Sequence, residues 1–236
     1  MTTKSPYSNV TDITFDLETC ALCPTAAVMS IGAVAWNRDG GATPFITLHS
    51  GEIDPVTVFS AHVDLRGMFV DGFTFDAKTA EWWGKQSEAA KSLLLAADLD
   101  GSACSPIEDV VKWFCGWILE MKKAAGRDDI NIWCQGTDFD AAILRNICHK
   151  YGIVDFLSHH RLRDHRTYYY ECANMLCEAG GVEFDPKTAY AFVDEYTEAG
   201  GVKHGPVFDC KRSIYSTWQI RNHIICLFPH NRQACP

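Results

Sequence analysis

The chain has 236 residues, of which 47% are apolar and 12% aromatic, a composition typical of folded globular proteins. This length suits one domain with a sizeable core, and we expect a single domain over residues 1–236 with its core at about 11–227. The net charge of −9 argues against a protein that coats duplex DNA through its phosphates. A nuclease is compatible with it, because catalytic carboxylates add negative charge that bound metals reverse locally.

No apolar run approaches the ~20 residues of a membrane-spanning helix, so we expect no membrane association. The first ten residues are polar and lack the apolar core of a signal peptide, which favours a cytoplasmic location. The eleven cysteines are scattered along the chain, and we expect them to be reduced. Cys20 and Cys23 have the spacing of a redox pair, which leaves a redox or zinc-binding role as an alternative.

The first predicted strand carries two acids one residue apart, Asp16 and Glu18. Successive strand side chains point to opposite faces, so Ile13, Phe15 and Leu17 should share one face and the acids the other. Two ionised acids side by side repel each other and are costly to desolvate unless a cation lies between them. Hard cations such as Mg²⁺ or Mn²⁺ meet that need. The strand therefore predicts a divalent-metal site.

The elements that follow predict a mixed α/β fold. Apolar runs at 27–36 and 43–48, joined by a glycine-containing turn, predict two further strands and hence a three-strand antiparallel meander. A helical pattern covers 76–97. Ser105 as N-cap, with Pro106 and Glu108 after it, predicts a helix that ends at about 125.

The second half of the chain alternates between strands and helices. Strands are predicted at 130–134 and 161–164, and helices at 137–151, 167–179 and 206–227. Residues 182–203 are ambiguous, and an excursion over the active face is one interpretation of them. A meander followed by alternating helices and strands predicts a mixed sheet with helices on both faces. A ribonuclease-H-like fold has this order of elements.

Two further acids lie where predicted helices begin. Asp140 lies at a junction between a strand and a helix, where ligands gather in open sheets. Alternatively, Thr137 is the N-cap of that helix and Asp140 completes a capping box. Asp209 begins the last helix, five positions after His204. Its alternative role is to complement the helix dipole, and His204 would then be an ordinary polar loop residue.

Together these segments resemble the three motifs of the DEDDh (DnaQ-like) 3′-5′ exonuclease superfamily. The matching positions are, in order, Asp16-Leu17-Glu18-Thr19, Phe139-Asp140 followed by Ile143-Leu144, and His204 with Asp209. Within the superfamily, the chain resembles the phage exonuclease A (DexA) group in particular, at residues 81–87, 163–167 and 204–210. The resemblance extends from about Ile13 to Ile220.

The chain departs from the superfamily pattern at two places. Cys20 follows Thr19 where a glycine is common. Asp138 competes with Asp140 as the acid of the second motif, and we select Asp140 because it follows Phe139, as the catalytic acid of the family follows its aromatic residue.

The resemblance implies a ribonuclease-H-like, metal-dependent 3′-5′ exonuclease. It would hydrolyse single-stranded nucleic acid, DNA in preference to RNA, from the 3′ end and release nucleoside monophosphates. The implied cofactors are two divalent cations, Mg²⁺ or Mn²⁺, with His204 as general base. Asp16 would bind both cations, Glu18 and Asp209 would complete the site of the nucleophilic water, and Asp140 would hold the second cation.

Candidate substrate contacts surround these acids. Leu17 and Thr19 flank the acids of the first predicted strand. Arg163 and Arg166 could bind phosphates, and Trp83, with Trp82 beside it, could stack on bases. Three of these interpretations have an ordinary structural alternative. Leu17 and at least one tryptophan would lie in the core, and Arg163 would form an ion pair with Asp164.

Two rival functions remain open in the sequence. An exoribonuclease of the same superfamily would differ in whether its pocket admits a 2′-hydroxyl. A catalytically idle ribonuclease-H-like domain, which only binds nucleic acid or a protein partner, would have lost one or more of the acids. All the expected positions are filled.

Overall fold

A mixed sheet of six strands organises the computed structural model, which describes residues 5–92, 104–180 and 202–227. The strands are β1 (Asp12–Thr19), β2 (Val28–Trp36), β3 (Val58–Val63), β4 (Cys104–Ser105), β5 (Asn131–Cys134) and β6 (Leu162–Asp164). Their order across the sheet is β4-β3-β2-β1-β5-β6. The pairs among β1, β2 and β3 are antiparallel, whereas β4, β5 and β6 each pair in parallel with a neighbour. The predicted mixed sheet is confirmed.

Helices cover both faces of this sheet. They are α1 (Leu65–Val70), α2 (Ala77–Gly84), α3 (Ile107–Ala125), α4 (Asp140–Tyr151), α5 (His165–Gly180) and α6 (Pro206–Leu227). Helices α3 and α4 bury their apolar faces in the main core on one side of the sheet. Helix α6 packs on the other side, against β1, β2 and β5, and α5 packs against α6.

Strand β1 lies between these two layers and separates its side chains as predicted. Ile13, Phe15 and Leu17 join the main core, where the ring of Phe15 lies 5.9 Å from that of Phe114 in α3. On the opposite face, the hydroxyl of Thr14 lies 2.9 Å from Nε2 of His165, the first residue of α5. Acids on that second face therefore point towards α5 and α6 rather than into the apolar core.

The third strand of the meander is β3, and the prediction of a strand at 43–48 is wrong. That segment uses its hydrogen bonds in a local hairpin, since the N–H of Leu48 donates to the carbonyl of Glu52 and that of Asp54 to Ile46. It touches β2 through a single bridge, between Trp36 and Phe45. Strand β3 pairs with β2 at five positions and so takes the edge that the prediction had assigned to 43–48.

Two predicted helix starts are also wrong. Ser105 lies in β4, so α3 begins at Ile107 with Pro106 as N-cap and no side-chain capping bond. Helix α4 begins at Asp140 rather than Thr137, and its N-cap, Phe139, makes no side-chain bond either, so the capping-box interpretation fails.

The predicted helix ends agree better with the structure. Gly126 and Gly152 end α3 and α4 in the left-handed conformation, with φ of 68° and 64°. The pattern at 76–97 yields α2 and a helical turn at 88–92, and the rest of it lies outside the described residues, as does nearly all of 182–203. Within the described ranges, no helix is both long and apolar enough to cross a membrane.

Candidate active site

Three carboxylates meet where the C-terminal half of β1 faces the start of α6. Asp16 and Glu18 project from β1, and Asp209 projects from the first turn of α6. One oxygen of each lies within 4.8 Å of the others. The alternation of β1 and the first turn of α6 thus bring together three acids that are separated by almost the whole chain.

A glycine in β2 makes this approach possible. Gly32 pairs with Asp16 across the sheet. A Cβ atom at Gly32 would lie 2.6 Å from the nitrogen of Val207 and 2.7 Å from the carbonyl carbon of Pro206. Only glycine therefore lets the start of α6 lie against the sheet and place Asp209 near Asp16. Gly32 belongs to none of the motifs noted in the sequence, although a glycine inside an apolar strand is a known sign of close backbone approach.

Asp140, at the start of α4, lies beside the three clustered acids. Its side chain is 3% exposed, whereas Asp138 is exposed. The loop before α4 is held by Asp164, whose carboxylate accepts the N–H of Thr137 at 2.9 Å and that of Thr167 at 2.8 Å. The structure therefore places Asp140, not Asp138, next to the cluster.

The acids raise one another's pKa values. Burial, followed by the charges of Asp140, Glu18 and Asp209, raises the pKa of Asp16 well above its usual range. Burial and then the charges of Asp209 and Asp140 raise the pKa of Glu18 to about 9. Burial also raises the pKa of Asp140 to about 7, although Arg166 and backbone hydrogen bonds oppose the shift. Without a cation, this site holds protons that isolated carboxylates would release.

The donor set fits a hard divalent cation. Carboxylate oxygens are the ligands that Mg²⁺ and Mn²⁺ prefer. Oε1 of Glu18 is buried and has no hydrogen-bond partner among the residues that the structure describes. A buried carboxylate oxygen without a donor is costly, and a bound cation would satisfy it. Asp16, Glu18 and Asp209 could therefore hold a metal ion, with Asp140 beside them.

His204 lies in the turn that precedes α6 and has an uncommon backbone conformation. Its φ is 66°, in the left-handed region, which costs a non-glycine residue roughly 1–3 kcal/mol. The imidazole is half-buried, and its centre lies 5.1 Å from the ring of Trp82 and 6.2 Å from that of Trp83. Burial, and then the positive charges of Lys203 and Arg212, lower the pKa of His204. The neutral form is thus favoured near pH 7.

The candidate substrate contacts on β1 and α2 have well-defined local partners. Leu17 is 5% exposed and belongs to the main core. The hydroxyl of Thr19 donates to the carbonyl of Ala21 at 2.9 Å. Nε1 of Trp83 donates to the carbonyl of Thr19 at 3.0 Å, which attaches α2 to the end of β1.

The two candidate arginines lie in different surroundings. The guanidinium of Arg163 donates to the carbonyls of His160 and Leu162, rather than to Asp164 as the ion-pair alternative required. Arg166 is exposed and donates one long hydrogen bond, 3.4 Å, to the carbonyl of Gln135. Its positive charge lowers the pKa of Asp140, which places it near the acids.

Residues 11–212 match the family described as the 3′-5′ exoribonuclease Rv2179c-like domain. The chain belongs to this family. The matched range covers β1, where Asp16 and Glu18 lie, as well as Asp140, His204 and Asp209. The prediction of a 3′-5′ exonuclease is thereby confirmed, as is membership of the exonuclease superfamily.

A solved structure supports the fold. The zinc-bound form of E. coli ExoI in complex with single-stranded DNA aligns with a TM-score of 0.50 and 15% sequence identity. The alignment covers 92% of this chain but only 40% of the ExoI chain. This likeness confirms the ribonuclease-H-like fold class. A search of curated protein sequences finds no match.

Proposed function

We propose that this protein is a metal-dependent 3′-5′ exonuclease that removes nucleoside monophosphates from the 3′ end of single-stranded nucleic acid. The observation that carries this proposal is the acid cluster itself, in which three carboxylates lie within 4.8 Å and Glu18 keeps one buried oxygen without a partner. Asp16, Glu18 and Asp209, with Asp140, would hold two divalent cations, Mg²⁺ or Mn²⁺.

When bound, such cations neutralise charge on the phosphate and lower the pKa of a water molecule. The four acids contribute by fixing the place where this occurs, since they project from β1, α4 and α6. His204 would accept the proton of the attacking water on a ring nitrogen. Its lowered pKa suits that role, because a base must be unprotonated at the working pH.

Arg166 is the residue best placed to bind a substrate phosphate, because it is exposed and lies near Asp140. Arg163 bonds backbone carbonyls, which supports a structural role. Contacts from Leu17 and Thr19 to the terminal nucleotide stay predictions, as does stacking of a base on Trp83.

RNA is the first substrate to test, because the description of the matching family names an exoribonuclease and the match covers the whole site. DNA is the second. The resemblance to the DexA group favours DNA, and that narrower assignment stays a prediction. The solved complex of E. coli ExoI contains single-stranded DNA, which keeps this alternative in the test.

The test uses 5′-labelled RNA and DNA oligonucleotides of one sequence, incubated with the protein in Mg²⁺, Mn²⁺ or EDTA. We expect a ladder that shortens from the 3′ end and disappears in EDTA and in Asp16→Asn. Asp138→Asn is the matched control, since Asp138 is an exposed acid two residues from Asp140, and it should cleave normally. The faster substrate decides between RNA and DNA. Absence of cleavage of both substrates in either metal would overturn the proposal.

A further inference from the structure

We propose that Trp82 and Trp83 are positioning residues for His204, and that α2 uses them to couple the histidine turn to the metal-ligand strand. The inference rests on the proposed function, in which His204 is the general base. Neither tryptophan needs to touch the substrate in this role.

Helix α2 is attached directly to the end of β1. The N–H of Asp76, the N-cap of α2, donates to the carbonyl of Cys20 at 2.9 Å. At the other end of the helix, Nε1 of Trp83 donates to the carbonyl of Thr19 at 3.0 Å. Two hydrogen bonds thus fix α2 to the residues that immediately follow Glu18. Any shift of α2 must therefore act on the strand that carries two of the acids.

The same helix contacts the histidine turn through its two aromatic rings. Trp82 meets His204 edge to face, with ring centres 5.1 Å apart and planes at 78°. Trp83 meets it at 6.2 Å and 84°, and the two indoles lie 4.9 Å from each other. These geometries are favourable for aromatic pairs. Trp82 nevertheless remains 45% exposed, so it is not an ordinary core residue.

The hydrogen bonds of the turn hold the backbone around His204 and do not involve its ring. The N–H of Gly205 donates to the carbonyl of Val202, and the N–H of Asp209 donates to that of Gly205. Across the described parts of the chain, no hydrogen bond to the imidazole nitrogens is found. Among the described residues, the contacts that hold the ring are therefore those of the two indoles, and they leave free the nitrogen that must take the proton.

The contact also sets the electrostatic surroundings of His204. Burial is the largest cause of its lowered pKa, ahead of the charges of Lys203 and Arg212. Removing the indole of Trp82 would admit water and bring the pKa of His204 closer to its ordinary value. A tryptophan that only stacked on a substrate base would produce no such change.

The kinetic test compares Trp82→Ala, Trp82→Phe and Trp113→Ala. Trp113 is the matched control, an indole that is 54% exposed on α3. For Trp82→Ala we expect kcat to fall about tenfold with KM within twofold, since misplacement of a reacting group lowers rates without weakening binding. The acid limb of its pH–rate profile should move to higher pH. Trp82→Phe should recover most of kcat, and Trp113→Ala should match the wild type.

A raised KM with unchanged kcat and an unchanged acid limb would identify Trp82 as a base-stacking residue and overturn the inference.

A second readout does not need turnover. The Cε1–H resonance of His204, assigned from its absence in His204→Gln, should be displaced by the indole ring currents and should move in Trp82→Ala. An unmoved resonance would also overturn the inference. Failure of the wild type to cleave would overturn the proposed function, whereas wild-type cleavage with an unaltered Trp82→Ala would overturn this inference alone.

Discussion

The acids at the two ends of β1 have opposite kinds of neighbours. Asp12, at the start of the strand, is completely buried, and donors surround its carboxylate. Arg38 forms an ion pair with it, Trp133 donates its Nε1–H at 2.6 Å, and Asn131 donates at 3.3 Å. Asp16 lies four residues further along the same face of the strand, yet its neighbours are other acids.

The residue type and the strand face are the same, so only the partners distinguish these two acids. Donors satisfy Asp12, which makes it part of the fold. Negative charges surround Asp16 and Glu18, and Glu18 has a buried oxygen without a partner among the described residues. A folded protein retains such a repulsive cluster where a cation balances it. The number of hydrogen-bond donors around each acid therefore distinguishes Asp12, which stabilises the fold, from Asp16 and Glu18, the candidate metal ligands.

The largest expected effect is on catalysis by Asp16→Asn. If Asp16 holds both cations as proposed, its loss should eliminate several kcal/mol of transition-state stabilisation, which converts to a rate loss of roughly a thousandfold. In EDTA, the variant should be at least as stable as the wild type, because a charge repelled by three neighbouring acids is gone. Initial rates and thermal unfolding measure the two effects. A rate within tenfold of the wild type would contradict the assignment.

Asp12→Ala should show the reverse pattern. It leaves Arg38 and the indole N–H of Trp133 without their acceptor, which should lower the free energy of unfolding by about 3 kcal/mol. Urea unfolding measures this loss. The rate per folded molecule should stay near that of the wild type, because Asp12 is remote from the acid cluster along β1. If Asp12→Ala were stable but inactive, the assignment of Asp12 to the fold and of Asp16 to the active site would be wrong.

Gly32→Ala should disturb the site through packing alone. A methyl group would collide with the backbone of Val207 and push the start of α6, and Asp209 with it, away from β1. We expect a loss of about 1–3 kcal/mol in stability, as for overpacked cores, and a clear fall in kcat. Gly116→Ala is the control: open space surrounds Gly116 within α3, so alanine there should be neutral or stabilise by up to about 1 kcal/mol. Equal behaviour of the two variants would argue against a role for Gly32.

The last effect is the pH dependence of stability without metal, which changes gradually with each pH unit. The pKa of Glu18 rises from 4.5 to about 9 in the folded protein, so between these values the folded state binds more protons than the unfolded state. This contribution is therefore full below about pH 4.5 and is lost as pH rises through 9. The expected slope is at most about 1.4 kcal/mol per pH unit for one proton.

Thermal unfolding in EDTA between pH 7 and 9.5 measures this slope, which Glu18→Gln should reduce. Mg²⁺ or Mn²⁺ should also reduce it in the wild type, because a cation stabilises the ionised acid. Asp140, whose pKa burial raises to about 7, contributes mainly at the lower end of this range. Buried His165, whose pKa falls to about 3, titrates outside it. Stability that rises with pH in EDTA would contradict proton uptake by Glu18 on folding.

Local patterns predicted those parts of the fold that depend on local chemistry. The alternation of Ile13, Phe15 and Leu17 predicted which face of β1 carries the acids, and Gly126 and Gly152 marked helix ends correctly. The prediction of a sheet strand at 43–48 is wrong because the apolar pattern of this segment suits a strand, while its hydrogen bonds go to a hairpin partner only four to eight residues away. Two segments, 43–48 and β3, could pair with the edge of β2, and β3 does so. A local sequence pattern does not show which of two distant segments will pair.

The site shows the same limit. The acids stood out because their residue types and order form recognisable motifs. Gly32 and Asp164 act by fitting backbones together, and the contact between Trp82 and His204 joins segments that are far apart in sequence. Such roles become visible only once the tertiary arrangement is known.

The most direct test of the central claim is calorimetric titration of Mn²⁺ into metal-free wild type, Asp16→Asn and Asp12→Asn. If the acids at the end of β1 exist to hold cations, the wild type should bind Mn²⁺, Asp16→Asn should lose most of that binding, and folded Asp12→Asn should retain it. Equal binding by wild type and Asp16→Asn would contradict the account, because the cation would then lie elsewhere.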